Sequence, residues 1–270
     1  MSERGTTRPP LDATAVPVPE GWRVEVVATS RSTNADVGAR FAAGEDRGLV
    51  LVAEDQTAGR GRLGRDWVTP PRASLTVSFL VVPPAEVPPA RWSWLPLLTG
   101  VAAADAVRRV AGVPVDLKWP NDLLAADGRK LGGILLERVQ RPASTGDGTG
   151  AAAVVGIGLN CTQQDDELPV PQATSLALAG ASDTDRGRLL GAVVTELDTR
   201  LRAWAAGEDL RGPYLERCVT PGQEVTVTVP GGELRGQAVD VDPEGRLVVR
   251  TGAGEEHLGA GDVVHVRPVA

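Results

Sequence analysis

A polar run between residues 54 and 67 is rich in glycine and arginine, a combination that suits an anionic ligand. Its glycines are Gly59, Gly61 and Gly64, and its arginines are Arg60, Arg62 and Arg65. The spacing matches G-x-G-x-x-G, but two prolines at 70 and 71 follow where a dinucleotide-binding fold needs a helix. We interpret the run as a mobile cover that closes over an anion. A solvated basic surface loop is the alternative.

The lysines form a second cluster. Of 28 lysines and arginines only two are lysines, Lys118 in the run KWPND and Lys130 in the run GRKLGGIL. A compact ammonium interacts with oxygen ligands differently from a planar guanidinium. Gly132 and Gly133 weaken the strand that follows Lys130 and indicate the close approach of another group, although a β-bulge is the alternative.

Glycine recurs at alternate positions in the apolar run GIGLN, at Gly156 and Gly158. Because alternate residues of a strand share one face, this face lacks side chains and could form a slot for a flat ligand. Asn160 at the end of the run could contact a sugar hydroxyl or a metal-bound water, or simply form a turn.

The run Ser32-Thr33-Asn34 offers small polar groups before a helix, where capping by Ser32 or Thr33 is the simpler explanation.

Hydrophobic periodicity predicts the elements that position these residues. Strands are expected at 23–28, 49–53, 74–82, 115–119 and 153–159, with a hairpin formed by 123–125 and 130–139. Helices are expected at 35–43, at 91–110 and along the apolar stripe Leu190, Val194, Leu197, Leu201 and Trp204, the last opened by a capping box at 182–185. Residues 141–150 are expected to be a flexible loop. Beyond residue 220, short alternating strands indicate a small barrel.

Three regions follow from this pattern: a disordered, proline-rich leader (1–21), a main domain (22–219) and the small barrel (220–270). The formal net charge of −7 over 270 residues argues against nucleic-acid binding. The two cysteines provide neither a disulfide framework nor zinc-ligand spacing. The N-terminus lacks the apolar core of a signal peptide, and no run is long enough for a membrane span, so we expect a cytoplasmic protein.

In this order and spacing, the motifs resemble those of the biotin–protein ligases. The elements that carry the resemblance are Ser32-Thr33-Asn34, the run 56–67 with GRGRLGR inside it, KWPND (118–122), GRKLGGIL (128–135) and GIGLN (156–160). The resemblance covers about residues 25 to 268. Leu63 departs from it, because many relatives have a further arginine there. The resemblance implies an α+β fold: a catalytic domain like that of class II aminoacyl-tRNA synthetases, with a mixed sheet and flanking helices, plus a C-terminal SH3-like barrel.

The resemblance also implies an activity, of the monofunctional type without an N-terminal DNA-binding domain. Biotin and ATP form biotinyl-5'-AMP, and biotin then passes to a lysine on the biotin-carrier domain of a carboxylase, as in a biotin–[acetyl-CoA-carboxylase] ligase. Mg²⁺ is the implied cofactor. The implied partners exclude DNA and membranes and include a second copy of the chain in a weak homodimer.

The implied site residues fall into four groups. The catalytic residues are Lys130, Arg62 and Lys118. The biotin-binding residues are Ser32, Thr33, Asn34, Gln56, Gly59, Arg60, Gly61, Arg62, Lys130, Gly132, Gly133, Gly156 and Gly158. The ATP-binding residues are Arg60, Arg62, Arg65, Trp67, Lys118, Asn121 and Asn160. Asp122 is the candidate metal ligand.

Three rival functions stay open at this stage. A DNA-binding biotin sensor conflicts with the short leader and the negative charge. Lipoate or octanoate ligation uses a similar core, although GRGRLGR and KWPND favour biotin. A biotin-binding module without catalysis would keep the pocket but would not exchange pyrophosphate with ATP.

Overall fold

The computed structural model describes residues 8–141, 150–229, 232–259 and 262–265. The strands are β1 (Arg23–Val27), β2 (Leu49–Ala53), β3 (Gly59–Arg60), β4 (Asp66–Trp67), β5 (Ser74–Val81), β6 (Val115–Lys118), β7 (Asp122–Ala125), β8 (Lys130–Gln140), β9 (Ala151–Asn160), β10 (Glu224–Val229), β11 (Gly232–Val241), β12 (Leu247–Thr251), β13 (Gly254–Leu258) and β14 (Asp262–His265). The α-helices are α1 (Thr33–Ala42), α2 (Trp94–Ala111), α3 (Arg186–Ala205) and α4 (Arg211–Leu215).

A seven-stranded mixed sheet in the order β1-β2-β5-β9-β8-β7-β6 forms the centre of the main domain. Strand β1 pairs parallel with β2, and the other neighbours pair antiparallel. Strand β2 shows that the sheet is covered on both faces. Leu49 and Leu51 pack in one apolar cluster, and Val50 and Val52 pack in another. Such a continuous apolar strand is typical of a sheet with two buried faces.

Helix α1 covers one face of the sheet, where its Val37 and Phe41 join Leu49 and Leu51. Helices α2 and α3 cover the opposite face with an apolar layer that includes Leu95. Helix α1 begins after Ser32, whose hydroxyl accepts a hydrogen bond from the Ala35 amide. The mixed sheet with flanking helices is the architecture predicted from the sequence. No helix of the described residues is long and apolar enough to cross a membrane.

The C-terminal domain is a five-stranded antiparallel sheet in the order β13-β12-β11-β10-β14. It contacts the main domain through two buried indoles. The Trp119 ring N–H donates to the Gly245 carbonyl at 3.0 Å, and the Trp94 ring N–H donates to the Pro243 carbonyl at 2.7 Å. Trp119 directly precedes Pro120 and Asn121, so this contact anchors the KWPND run against the C-terminal domain.

The predicted disordered leader is wrong for residues 8–21. Leu11 and Val16 are buried, and a short 3₁₀-helix spans Ala13–Ala15. Composition favoured disorder because prolines are frequent there, but Leu11 and Val16 join the apolar layer that contains α2 and α3. Residues 1–7 lie outside the described residues, as do 142–149 of the predicted flexible loop.

The helix predicted to open with a capping box at 182–185 begins differently. Asp185 alone caps α3, by accepting a hydrogen bond from the Arg188 amide, while the Ser182 hydroxyl donates to the Ala111 carbonyl of α2. The remaining predicted elements of the main domain lie within a few residues of the observed bounds.

Candidate active site

The floor of the candidate site is one face of three adjacent strands, β5, β9 and β8. Under α1 this face is apolar, with Leu80 of β5 and Val154 of β9 in the core. The next paired positions on the same face are Ser78 of β5 and Gly156 of β9, which lie opposite each other. The sheet therefore changes from core to open floor just beyond the N-terminus of α1.

A hydrogen-bond network fixes the polar end of this floor. The hydroxyl of Ser78, which is fully buried, lies 2.7 Å from Thr33 Oγ1 and 2.6 Å from Asn34 Oδ1. The Thr33 amide donates to Gln56 Oε1 at 2.9 Å. Asn34 Nδ2 donates to Glu137 Oε2 at 2.9 Å. Because these groups hold one another in place, this end of the cavity is preorganised and carries both donors and acceptors.

The arginine loop, which we define as residues 54–71, folds over this floor. Strands β3 and β4 form a short ribbon with a 3₁₀ turn at Arg62–Gly64 between them. Leu63 at the tip has a left-handed φ of 55° and is 69% exposed. Arg60 reaches back to the Glu137 carboxylate at 3.3 Å. The loop thus forms a ribbon without the helix of a dinucleotide fold, as its prolines predict.

A cluster of charges lies at the opposite end of the cavity from the Ser78 network. Lys130 Nζ is 2.5 Å from Asp122 Oδ1. Arg62 donates to the Asn121 side-chain oxygen at 3.2 Å. Asn121 is itself fixed to β8, because its Nδ2 donates to the Ile134 carbonyl and its carbonyl accepts from the Ile134 amide. The KWPND turn therefore contacts both cations, Arg62 through Asn121 and Lys130 through Asp122.

Burial lowers the pKa of two cations near Asp122, namely Arg62 and Lys118. Desolvation is the main cause for Arg62, and the nearby Asp122 charge opposes it. Desolvation also dominates for Lys118, where Asp122 again raises the pKa while Lys130 and Arg65 lower it. Three cations thus surround one carboxylate, and the cluster keeps an excess of positive charge that an anion can neutralise.

A cavity of about 120 Å³ joins the two ends. The predicted site residues that line it are Ser32, Thr33, Asn34, Gln56, Arg60, Gly61, Arg62, Arg65, Trp67, Asn121, Asp122, Lys130, Gly133, Gly156 and Gly158. Four elements that are distant in sequence therefore meet at one place. Their individual roles stay predictions.

The structure does not bring four predicted residues to the cavity wall. They are Gly59, Lys118, Gly132 and Asn160. The side chain of Asn160 is turned into the protein, where its Nδ2 donates to the Thr174 carbonyl and its Oδ1 accepts from Gln163. These contacts do not support a role in ATP binding. Lys118 lies behind the wall, near enough for its charge to interact with those of Asp122 and Lys130.

The predicted bare slot is filled by protein side chains. A Cβ on Gly158 would lie 2.4 Å from the Trp67 ring, and a Cβ on Gly156 would lie 2.4 Å from Asn34 Oδ1. Gly132 instead makes room for the Gly158 carbonyl of the neighbouring strand. The absence of side chains at Gly158 and Gly156 of β9 therefore leaves space for Trp67 and Asn34, which line the cavity. The indole N–H of Trp67 is buried and finds no hydrogen-bond partner among the described residues.

Sequence reasoning missed four polar residues of the site: Asp66 and Thr76, which line the cavity, and Ser78 and Glu137, which hydrogen-bond Asn34 at its polar end. Ser78 stands in the apolar strand SLTVSFLV, where the second serine was the available signal. Glu137 shares the face of β8 that carries Gly133 and Leu135, so strict alternation from Gly133 could have found it.

Among the described residues, no group of three or more His, Cys, Asp or Glu side chains could hold a metal ion.

Comparison with known proteins decides which family this site belongs to. Residues 25–160 match the model of the biotin/lipoate A/B protein ligase family, and residues 220–266 match the biotin protein ligase C-terminal domain. The chain belongs to the biotin/lipoate protein ligase family. A biotin--[acetyl-CoA-carboxylase] ligase of Mycobacterium tuberculosis is 42% identical over 99% of this chain and 100% of that protein. Another ligase of that name, from Paracoccus denitrificans, is 30% identical over 88% and 98%.

Solved structures of the ligase family agree with this assignment. The biotin protein ligase of Aquifex aeolicus in complex with biotin and ATP superposes with a TM-score of 0.75 at 26% identity. The match covers 90% of this chain and 98% of that one. The superposition extends over most of this ligase-family chain, consistent with the matches to both domain models.

Proposed function

We propose that this chain is an ATP-dependent biotin–protein ligase, which activates biotin as biotinyl-5'-AMP and transfers it to a lysine of a carboxylase biotin-carrier domain. One observation carries the proposal: a single cavity joins a preorganised pocket of donors and acceptors to a cluster of cations. The first end suits an uncharged ring with N–H and C=O groups. The second suits a carboxylate next to phosphates.

The first step needs no protein nucleophile. A carboxylate oxygen of biotin attacks the α-phosphorus of ATP, and the bond to the bridging oxygen breaks, so pyrophosphate leaves. The obstacle is charge: two unit charges about 4 Å apart repel by about 4 kcal/mol at an effective dielectric constant near 20. Lys130 and Arg62 stand where both anions would meet, and they neutralise this repulsion and the charge of the transition state.

We assign the remaining roles by position. Thr33, Asn34 and Gln56 hydrogen-bond the biotin ring, while Arg60 and Gly61 cover it. Trp67 packs against the ligand and offers its unpartnered indole N–H. Asn121 positions Arg62, and Lys118 supplies a further positive charge behind the wall.

The second step joins the adenylate to an amine. A deprotonated lysine nitrogen of the acceptor attacks the acyl carbon, the acyl–phosphate bond breaks, AMP leaves, and the nitrogen loses a proton. AMP is already a good leaving group, so the protein mainly has to hold the adenylate and exclude water. The arginine loop is suited to that task because it folds over the cavity.

The proposed Mg²⁺ fits poorly as a metal held by the protein alone. Asp122 is a single carboxylate, and Lys130 occupies one of its oxygens at 2.5 Å. Mg²⁺ commonly binds through substrate phosphates and one or two carboxylates. We therefore propose that it arrives with ATP, and we route no step through a metal site of the protein.

The test is a biotin-dependent exchange of labelled pyrophosphate into ATP, followed by transfer to a purified carrier domain. The proposal expects exchange with biotin and no comparable exchange with lipoate or octanoate. Labelling of one acceptor lysine should follow. Exchange with lipoate alone would favour the other activity in the family's name, and ligand binding without exchange would indicate a binding module.

Cytoplasmic location, absence of DNA binding and a weak homodimer stay predictions.

A further inference from the structure

The N-terminal segment 8–18, which we call the strap, packs across the molecule beside the base of the arginine loop. Leu11 and Val16 of the strap are buried. At one end, Arg8 donates to Thr162 Oγ1 at 2.9 Å and pairs with Glu167 at 2.5 Å. At the other end, Pro17 lies against Gly191 of α3. Such a segment is fixed in place although it has almost no regular secondary structure.

The strap contacts both ends of the arginine loop. At the first end, the Leu11 amide donates to Glu54 Oε1 at 2.5 Å. Directly after the second end, an Arg72 guanidinium nitrogen lies 3.4 Å from the Arg8 carbonyl. The two ends are also joined to each other, because the Arg72 amide donates to the Glu54 carbonyl at 2.7 Å. Arg72 has a left-handed φ of 60°, an unfavourable conformation that these contacts maintain.

A buried ion pair joins the strap, the loop and α3. Arg186 Nη1 is 2.7 Å from Glu54 Oε2, and the two side chains are only 7% and 6% exposed. The same guanidinium donates through Nη2 to the Pro9 carbonyl at 2.8 Å. Glu54 thus receives hydrogen bonds from both the strap and α3. A buried pair of this kind is costly to disrupt, because either charge alone would stay desolvated.

From these contacts we infer that the strap is a positioning element for the ligase reaction: it fixes the base of the arginine loop and thereby slows loss of the adenylate. The inference rests on the proposed function, because it assigns a task to the loop that carries Arg62. The strap itself does not line the cavity that holds the ligand. Glu54 and Arg186 are positioning residues in this account.

Gly191 allows the strap to be displaced without altering the site. A Cβ there would lie 2.9 Å from the Pro17 carbonyl oxygen and 3.0 Å from Pro17 Cδ, so Gly191→Ala should displace the strap. Alanine also has a higher helix propensity than glycine, which offsets about 1 kcal/mol of the cost of this clash. Gly212→Ala in α4 is the matched control, because nothing lies within 4 Å of its added Cβ.

The experiment measures the half-life of biotinyl-adenylate on the full chain, for Gly191→Ala and Gly212→Ala, each with and without Arg62→Ala. We expect Gly191→Ala to shorten the half-life about fivefold or more, a usual size for coupling between sites. We expect little further loss in the Arg62→Ala background, because the strap acts through the loop. An unchanged half-life, or an equal loss in both backgrounds, would overturn the inference.

A second measurement separates this inference from the proposed function. Limited trypsin digestion of the ligand-free chain, read by mass spectrometry, reports cleavage after Arg60, Arg62 and Arg65 without any adenylate. Gly191→Ala should increase these cuts relative to the control. Should the wild type form no adenylate, the proposed function fails while this test still decides whether the strap restrains the loop. Equal cleavage in both variants would contradict the strap account.

Discussion

The floor of the site and the loop above it are built in opposite ways. The floor belongs to the central sheet, and Ser78 joins Thr33 to Asn34 through buried hydrogen bonds. The loop is exposed at Leu63, and Arg60 holds Glu137 by one contact of 3.3 Å. A rigid floor can select a ligand by shape and hydrogen bonds. The cationic tip of the loop, which is weakly held above a fixed base, can exchange its internal contacts for contacts to an anion.

The largest effect should come from Lys130, which stands where the floor meets the loop. Lys130→Ala removes the cation beside Asp122 and should lower biotin-dependent pyrophosphate exchange about 10²- to 10³-fold, the usual cost of one transition-state contact. Arg129→Ala is the control, because Arg129 pairs with Asp127 and does not line the cavity. Near-normal exchange in Lys130→Ala would reject the catalytic assignment.

Ser78→Ala tests the floor. It removes the hydroxyl that orders Thr33 and Asn34, and leaving such buried groups unsatisfied costs about 1–3 kcal/mol. We expect the KM for biotin to rise about tenfold or more with kcat little changed, measured by exchange kinetics. Ser182→Ala removes a hydrogen bond to Ala111 outside the cavity and serves as the control. A fall in kcat at constant KM would mean that the floor does not select biotin.

Arg62→Ala tests the loop. Loss of a hydrogen bond to a charged ligand costs about 1.5–3 kcal/mol, so we expect the adenylate half-life on the protein to shorten about tenfold or more. Arg235→Ala in the C-terminal domain removes an equally charged but exposed arginine as the control. If both variants release the adenylate at the wild-type rate, the arginine loop does not retain it.

The smallest effect concerns pH. Burial lowers the pKa of Lys118 below its ordinary 10.5, so this lysine loses its proton at a lower pH than a solvated one. Because the protonated form supplies the charge, exchange should decline on the alkaline side before pH 10.5 is reached. A pH–rate profile of wild type and Lys118→Arg checks this, since arginine should move the decline to higher pH. Identical profiles would remove Lys118 from the charge cluster.

The sequence predicted the cations of the site better than its shape. Lys130 was found because lysine is rare in this chain, and the arginine loop because glycines alternate with cations. The use of the glycines was not predictable, since only the packed structure places Trp67 over Gly158 and Asn34 over Gly156. Alternation reports which face a residue occupies and says nothing about which distant side chain fills the space.

The strap shows the same limit from another direction. Its prolines predicted disorder, yet Leu11 and Val16 are buried and the Leu11 amide binds Glu54. Local composition cannot reveal a segment that is ordered entirely by contacts with distant parts of the chain. Asn160 is the converse case, because a residue expected at the ligand has its side-chain hydrogen bonds satisfied inside the protein.

Amide hydrogen exchange with and without biotin and ATP tests the contrast between floor and loop most directly. The account predicts that amides at the tip of the arginine loop, residues 60–66, exchange quickly in the free protein and slow markedly when both substrates are present. Amides of β5 and β9 should be protected in both states. Unchanged exchange in the loop, or an equal change in β5 and β9, would contradict it.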